Sequence, residues 1–241
     1  MRGLGTIINV LAVVAGSGLG LALKSGLPER LRGVLTQACG LAVLFIGISG
    51  AMAEMLTFSD GGFSTQGSVM LTLSLVLGGL AGEALDIERR LDDLGVALQK
   101  RVAVGGGSDF AIGFVTSSLV ICVGAMAVVG SIRDGLTGDS SMLVAKAVLD
   151  FVLVLVFASS FGLGVMFSAL PLGIYQGALT VLAAFIEPFL TDAMISGLSF
   201  VGSVLIFGVG VNLLRPGSLR VGNMLPALLV PVIWELLKQL V

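Results

Sequence analysis

Two acidic side chains, Asp150 and Glu83, stand within or at the end of long apolar runs of this 241-residue chain. A carboxylate placed in hydrocarbon pairs with a base, takes up a proton or coordinates a cation, because the bare charge is too costly to keep there. Lys146 precedes Asp150 by one helical turn, so an ion pair is one reading of Asp150 and ion or proton binding is the other. Glu83 is followed at once by Asp86 and Glu88, which suits either a surface position or a buried site. Amides stand in the apolar runs at Asn9, Gln37, Gln176, Asn212 and Asn223, and hydroxyls at Thr36, Thr116, Ser117, Ser118 and Thr180. In a membrane helix an amide bonds to a neighbouring helix or to a ligand, whereas a hydroxyl usually bonds to its own backbone. The candidate substrate- or ion-binding set is Asn9, Thr36, Glu83, Asp150, Gln176, Thr180, Asn212 and Asn223. The chain has no histidine, which removes imidazole bases, Ser-His-Asp triads and most zinc or haem sites. No metal, cofactor or catalytic activity is expected. Asp134 and Asp139 in DGLTGD lack the spacing of a calcium loop and read as a turn.

The elements that must position these residues are membrane helices. Fifty-six per cent of the chain is hydrophobic, twelve per cent is charged and the mean hydropathy is +1.09, values of an all-α polytopic membrane protein. At roughly 20 residues per crossing there is room for about eight spans. They are read at Leu4–Leu23, Gly33–Leu56, Gly67–Leu85, Asp109–Ile132, Met142–Phe167, from Pro171 to the Glu187-Pro188 pair, Ile195–Leu214, and from Asn223 to the C-terminus, the last kinked by Pro226 and Pro231. Between the third and fourth, Asp86–Arg101 carries Ile87, Leu91, Leu94 and Leu98 at helical spacing and reads as an amphipathic surface helix. The 35 glycines include GxxxG pairs at Gly16/Gly20 and Gly78/Gly82, which let helix backbones approach closely. Their abundance predicts a homodimer. Cys39 and Cys122 both lie in apolar runs and are read as packing residues.

Gly18–Thr36 and Gly162–Thr180 share Gly, Leu, Gly, Gly, Leu and Thr at a spacing of 144 residues. This predicts a parallel repeat of two four-helix halves, residues 1–132 and 142–241, within one transmembrane domain. The first copy's loop holds Lys24, Glu29, Arg30 and Arg32, while the second, Ser168–Gln176, is uncharged and is the better place for a solute-facing turn. The links after spans 1, 3, 5 and 7 hold nine of the 13 Lys and Arg residues, so both termini are expected outside.

The stretches GTIINVLAVVAG, SSLVICVGAMAVVGSIRDGLTGD, VLDFVLVLVFASSFGLGVMFSALPLGIYQGALT and GVGVNLLRPGSLRVGNMLPAL together resemble the DUF554 family of bacterial inner-membrane proteins, also called YdfK-like or YqgA-like. The resemblance covers nearly the whole chain. It implies a cytoplasmic-membrane location and places Asn9, Glu83, Asp150, Gln176, Asn212 and Asn223 in recognisable family motifs. The leading expectation is a secondary transporter for a small solute or ion. The alternative is a passive channel, or a membrane-organising protein that binds lipid. An intramembrane enzyme fits least, and nothing points to nucleic acid.

Overall fold

The computed structural model describes residues 2–24, 28–59, 62–90, 93, 96–97, 107–122, 125–186 and 191–240. Its elements, in order, are α1 (Leu4–Lys24), α2 (Glu29–Met55), β1 (Leu56–Ser59), β2 (Gly62–Thr65), α3 (Ser68–Leu85), α4 (Gly107–Cys122), α5 (Ala125–Thr137), α6 (Ser141–Phe161), α7 (Gly164–Phe167), α8 (Ala169–Val181), α9 (Ala183–Ile186), α10 (Asp192–Leu214), a 3-10 segment (Gly222–Leu228) and α11 (Leu229–Leu240). The chain is an all-α polytopic membrane protein. Six segments are long and apolar enough to cross a bilayer: Leu4–Leu23, Gly33–Met55, Ser68–Leu85, Ser141–Phe161, Gly164–Val181 and Asp192–Leu214. A seventh candidate is the pair α4–α5, bent by 62° at the break after Cys122.

The eight expected spans are altered at the fourth and at the fifth, which ends at Phe161 rather than Phe167, and the last, expected to be kinked by Pro226 and Pro231, changes helix type. The fourth is broken, and the last is a 3-10 segment of 7 residues followed by a helix of 12, because Pro226 cannot supply a backbone N–H inside a regular α-helix. The expected surface helix Asp86–Arg101 falls largely outside the described residues, of which 87–90 are helical. The two similar stretches also take different local structures. Gly18 and Gly20 lie inside α1, whereas Gly162 ends α6 at φ 85° and Gly164 opens α7. Only glycine adopts that dihedral without strain, so α6 stops there. The uncharged stretch Ser168–Gln176 is helical from Ala169 onward rather than an open turn.

Two compact units emerge, Met1–Cys39 with Leu91–Cys122 and Met126–Phe189, and Gly40–Arg90 with Val123–Ala125 and Leu190–Val241. Neither is a contiguous half of the chain. In the first, α1 lies parallel to α6, with Gly5 beside Leu143, Gly16 beside Phe151 and Val154, and Gly20 beside Leu155 and Ala158. A side chain at Gly20 would run into the Leu155 carbonyl, so the close approach requires glycine there. Helix α6 has an inverted polarity for a water-soluble helix. Val148, Leu149 and Val152 are 62%, 57% and 55% exposed, while Lys146 and Asp150 are 6% and 4% exposed. Its apolar face suits lipid, and its polar residues turn inward.

In the second unit α3 lies antiparallel to the final segment, with Gly78 beside Ala227 and Gly82 beside the Asn223 backbone. Thr191 caps α10 by accepting from the Met194 N–H at 3.2 Å. The strands β1 and β2 form an antiparallel hairpin in which Phe58 stands opposite Phe63, ring centroids 5.3 Å apart.

Candidate functional site

Three helices of the first unit each bring two polar residues to one place. Thr6 and Asn9 are three apart on α1, Lys146 and Asp150 four apart on α6, and Gln176 and Thr180 four apart on α8, so each pair shares a helix face. Helices α1 and α8 meet rung by rung. The Thr6 and Thr180 hydroxyls are 3.3 Å apart, and one turn deeper the Asn9 Nδ2 donates to Gln176 Oε1 at 3.3 Å. The Asn9 amide also faces the Asp150 carboxylate. All six residues are buried.

The ammonium of Lys146 is placed by the break in the helix opposite. It donates to the Asp150 carboxylate and to the Ile121 carbonyl, the latter at 2.7 Å. Ile121 lies in the last turn of α4, where carbonyls have no partner within the helix, and a cation is favourable at a helix C-terminus. Lys146 thus ties the end of α4 to the carboxylate of α6. Both charges are out of water, where loss of either partner costs about 3–5 kcal/mol because the other is left uncompensated.

Toward the end of the unit where α1 begins, Asp134 of α5 accepts from the Gly5 N–H through Oδ2 at 3.0 Å. This carboxylate is buried and caps the first turn of α1. The sequence alone places it in a turn, because apolar length ends the span at Ile132, whereas α5 continues to Thr137. Thr6 was also missed, although its spacing from Asn9 was a usable signal.

The polar groups here are incompletely matched. Asn9 Oδ1, Gln176 Nε2, Asp134 Oδ1 and Ser131 Oγ are buried without a hydrogen-bond partner. Each such group costs about 1–3 kcal/mol unless a water or ligand meets it. Turning over both amides would exchange donor for acceptor and leave the same deficit.

The remaining candidates are placed differently. Glu83 divides its oxygens between Arg220 and the Asn223 Nδ2, the latter at 2.7 Å, and Asn223 Oδ1 accepts from the Glu88 N–H at 2.7 Å. These contacts join the end of α3 to the start of the 3-10 segment. Asn212 donates to the Leu219 carbonyl at 2.7 Å and accepts its N–H at 2.9 Å, which closes the link after α10. Thr36 is half-buried on α2, and Thr6 is the hydroxyl that meets Thr180. Ser117 and Ser118 bond to the backbone of their own helix. A cavity of about 600 Å³ in the second unit is lined by Glu54, Ser196, Trp234, Glu235 and Lys238 among others. Its charged side chains have partners within the lining: Ser196 donates to Glu54 at 2.5 Å, and Lys238 pairs with Glu235 at 2.7 Å. Among the described residues no group of three or more His, Cys, Asp or Glu side chains could hold a metal ion.

Residues 4–236 match the model of a protein family described as "Protein of unknown function (DUF554)". The chain is 31% identical over 227 residues to the "Uncharacterized membrane protein YdfK" of Bacillus subtilis (strain 168), covering 94% of this chain and 93% of that one. It is 32% identical over 231 residues to the "Uncharacterized protein YqgA" of Escherichia coli (strain K12), covering 94% of each. No solved structure matches the chain significantly.

Proposed function

This chain belongs to the DUF554 family, and from that premise we propose that it is a secondary transporter of a small polar solute or ion in the bacterial inner membrane. The observation that carries the reading is the junction of a broken helix with a buried ion pair and half-satisfied amides. Lys146 bridges the Ile121 carbonyl and Asp150, and Asn9 and Gln176 beside them keep a donor and an acceptor free. Broken membrane helices offer backbone groups to solutes and ions, and an ion pair out of water responds sharply to protonation or cation binding. In this reading Asn9, Gln176, Thr6 and Thr180 hold the solute, and Asp150 with Lys146 responds to the coupling ion. Glu83, Asn212 and Asn223 hold the fold. No catalysis is assigned.

The same reading takes eight crossings, with both termini outside. Because α1 and α6 run parallel, an odd number of crossings lies between them, which α2, α3 and the bent pair α4–α5 supply together. The final segment runs antiparallel along α3, from Asn223 beside Gly82 to Trp234 and Lys238, which share a cavity with Ser68. Seven 3-10 and twelve α-helical residues reach about 32 Å at the usual rises, close to a hydrocarbon thickness of about 30 Å. The basic links then face the cytoplasm. Gly79 and Gly177 have nothing within 4 Å of where a side chain would begin, and such bare positions suit the proposed homodimer, which native mass spectrometry tests directly.

The test of transport is electrophysiology on proteoliposomes adsorbed to a solid support. Amino acids, organic acids, sugars and alkali cations are applied in turn, with and without a pH gradient. A saturable current with at least one of them, lost in Asp150→Asn and kept in Asn212→Ala, is the expected result. Current that never saturates and follows the gradient alone would replace the carrier by a passive channel. Silence to every solute would end the transport reading.

A further inference from the structure

We infer that Asp134 is the entrance carboxylate of a water-filled path by which protons reach Asp150 from the end of the unit where α1 begins. The inference rests on the transport reading for its purpose, and it names the coupling ion of that site as the proton. It stands on a line of contacts through the first unit. Asp134 meets the Gly5 N–H, Thr6 meets Thr180, Asn9 meets Gln176 and faces Asp150, and Asp150 meets Lys146. Along α1 these contacts fall at positions 5, 6 and 9, so they descend one face of the helix from its first turn.

The second observation is the set of buried polar atoms left over along that line. Ser131 Oγ and Asp134 Oδ1 are three residues apart on α5, and Asn9 Oδ1 and Gln176 Nε2 lie deeper. Their residues are 0% exposed. Two acceptors, a hydroxyl and a donor in succession are what a file of waters needs, since a buried water makes about three hydrogen bonds to such groups.

The charges around the path suit a proton. Asp150 is faced by Lys146 from its own helix and by the Asn9 amide from α1, and the Cys122 thiol of α4 lies within electrostatic reach of Lys146 and Asp150, as Tyr175 of α8 does of Cys122. Asp134 is faced by the Gly5 N–H of α1, and its neighbour Arg133 is held by Asp139 at 3.1 Å. When a hydronium in the file gives its proton to Asp150, a water is returned and the carboxylate becomes neutral. Lys146 then keeps the Ile121 carbonyl as its partner, so the tie between α4 and α6 loosens while the end of the broken helix stays capped. Asp134, itself buried, is the carboxylate of the line nearest the start of α1 and favours cations there over anions.

The experiment reads water access and needs no solute. Thr6→Cys and Asn9→Cys are placed in the full-length protein in proteoliposomes, with Val13→Cys and Leu172→Cys as apolar controls as buried as Asn9. Vesicles are treated with membrane-impermeant cationic or anionic methanethiosulfonate, and each site is read by peptide mass spectrometry, so Cys39 and Cys122 stay in place. Thr6 and Asn9 are expected to react about tenfold faster than the controls, and the cationic reagent faster than the anionic one. Asp134→Asn should remove that charge preference and Asp134→Glu should keep it, with thermal midpoints confirming that each variant is folded. Reaction at Thr6 and Asn9 no faster than at Val13 and Leu172 would overturn the path. A preference unchanged in folded Asp134→Asn would overturn the role of Asp134. Solute currents with no labelling would leave the carrier standing without this path, and labelling without currents would leave the path without the carrier.

Discussion

The polar cluster around Asp150 and the one around Glu83 contain the same kinds of residue, yet they differ in how completely they are matched. Each has a carboxylate, a basic partner and an amide. Around Glu83 the Arg220 and Asn223 side chains take one carboxylate oxygen each, the Asn223 oxygen takes the Glu88 N–H, and the ion pair is more than half exposed. Around Asp150 the ion pair is buried, its cation reaches the end of a broken helix, and the amides beside it keep a donor and an acceptor unmet. A polar residue that holds a fold is matched within the fold. One that holds a solute, a water or a proton keeps hydrogen-bonding capacity in reserve, and burial makes that reserve expensive.

The comparison breaks most severely at the ion pairs. Lys146→Met should lower stability by about 3–5 kcal/mol, since Asp150 is left as an uncompensated charge. Lys146→Met with Asp150→Leu should recover much of the loss, which thermal unfolding of the four proteins in a mutant cycle measures. Arg220→Gln should cost no more than about 1 kcal/mol, as for other exposed pairs. Equal losses at the two pairs would erase the distinction.

Glycine packing should be alike in both units, which isolates the difference to the chemistry. Gly20→Ala and Gly82→Ala each press a methyl against a backbone carbonyl, of Leu155 and Asn223, and should cost about 1–3 kcal/mol. Gly79→Ala, with nothing within 4 Å, should leave the thermal midpoint unchanged or raise it. Asn212→Ala removes two hydrogen bonds to Leu219 and should cost about 1–2 kcal/mol with transport intact.

The smallest effect comes from a polar contact outside the spans. Hydrogen bonds from the side chain and backbone of Ser141 hold the Asp139 carboxyl below its ordinary range, with Arg133 nearby. A depressed value means the contact stabilises fully above the unfolded pKa of about 3.9 and is lost as pH falls through the folded one. Asp139→Asn should flatten that slight acid limb in a plot of thermal midpoint against pH, and no change would assign the limb elsewhere.

Much of the fold was legible because apolar length is read directly from sequence: α1, α2, α3, α6 and α10 lie close to where hydropathy puts them. The break after Cys122 was not legible, since the sequence on either side stays apolar and the event that stabilises it, Lys146 meeting the Ile121 carbonyl, is long-range. Asn9, Asp150, Gln176 and Thr180, which the fold brings together, were legible as candidates because a polar group in an apolar run is costly wherever it points. The same rule could not separate them from Glu83, Asn212 and Asn223, whose partners come from backbone in links and helix ends. Asp134 was passed over because its neighbours look like a turn, and only the length of α5 shows that it is buried.

The most direct test of the distinction is one pair of variants on one current. Asp150→Asn and Glu83→Gln are compared with the unmodified protein in the proteoliposome assay, at equal reconstitution and with the same solute. Loss of the saturable current in Asp150→Asn with retention in Glu83→Gln is the predicted result. Retention in Asp150→Asn with loss in Glu83→Gln would contradict it and move the site to the second unit.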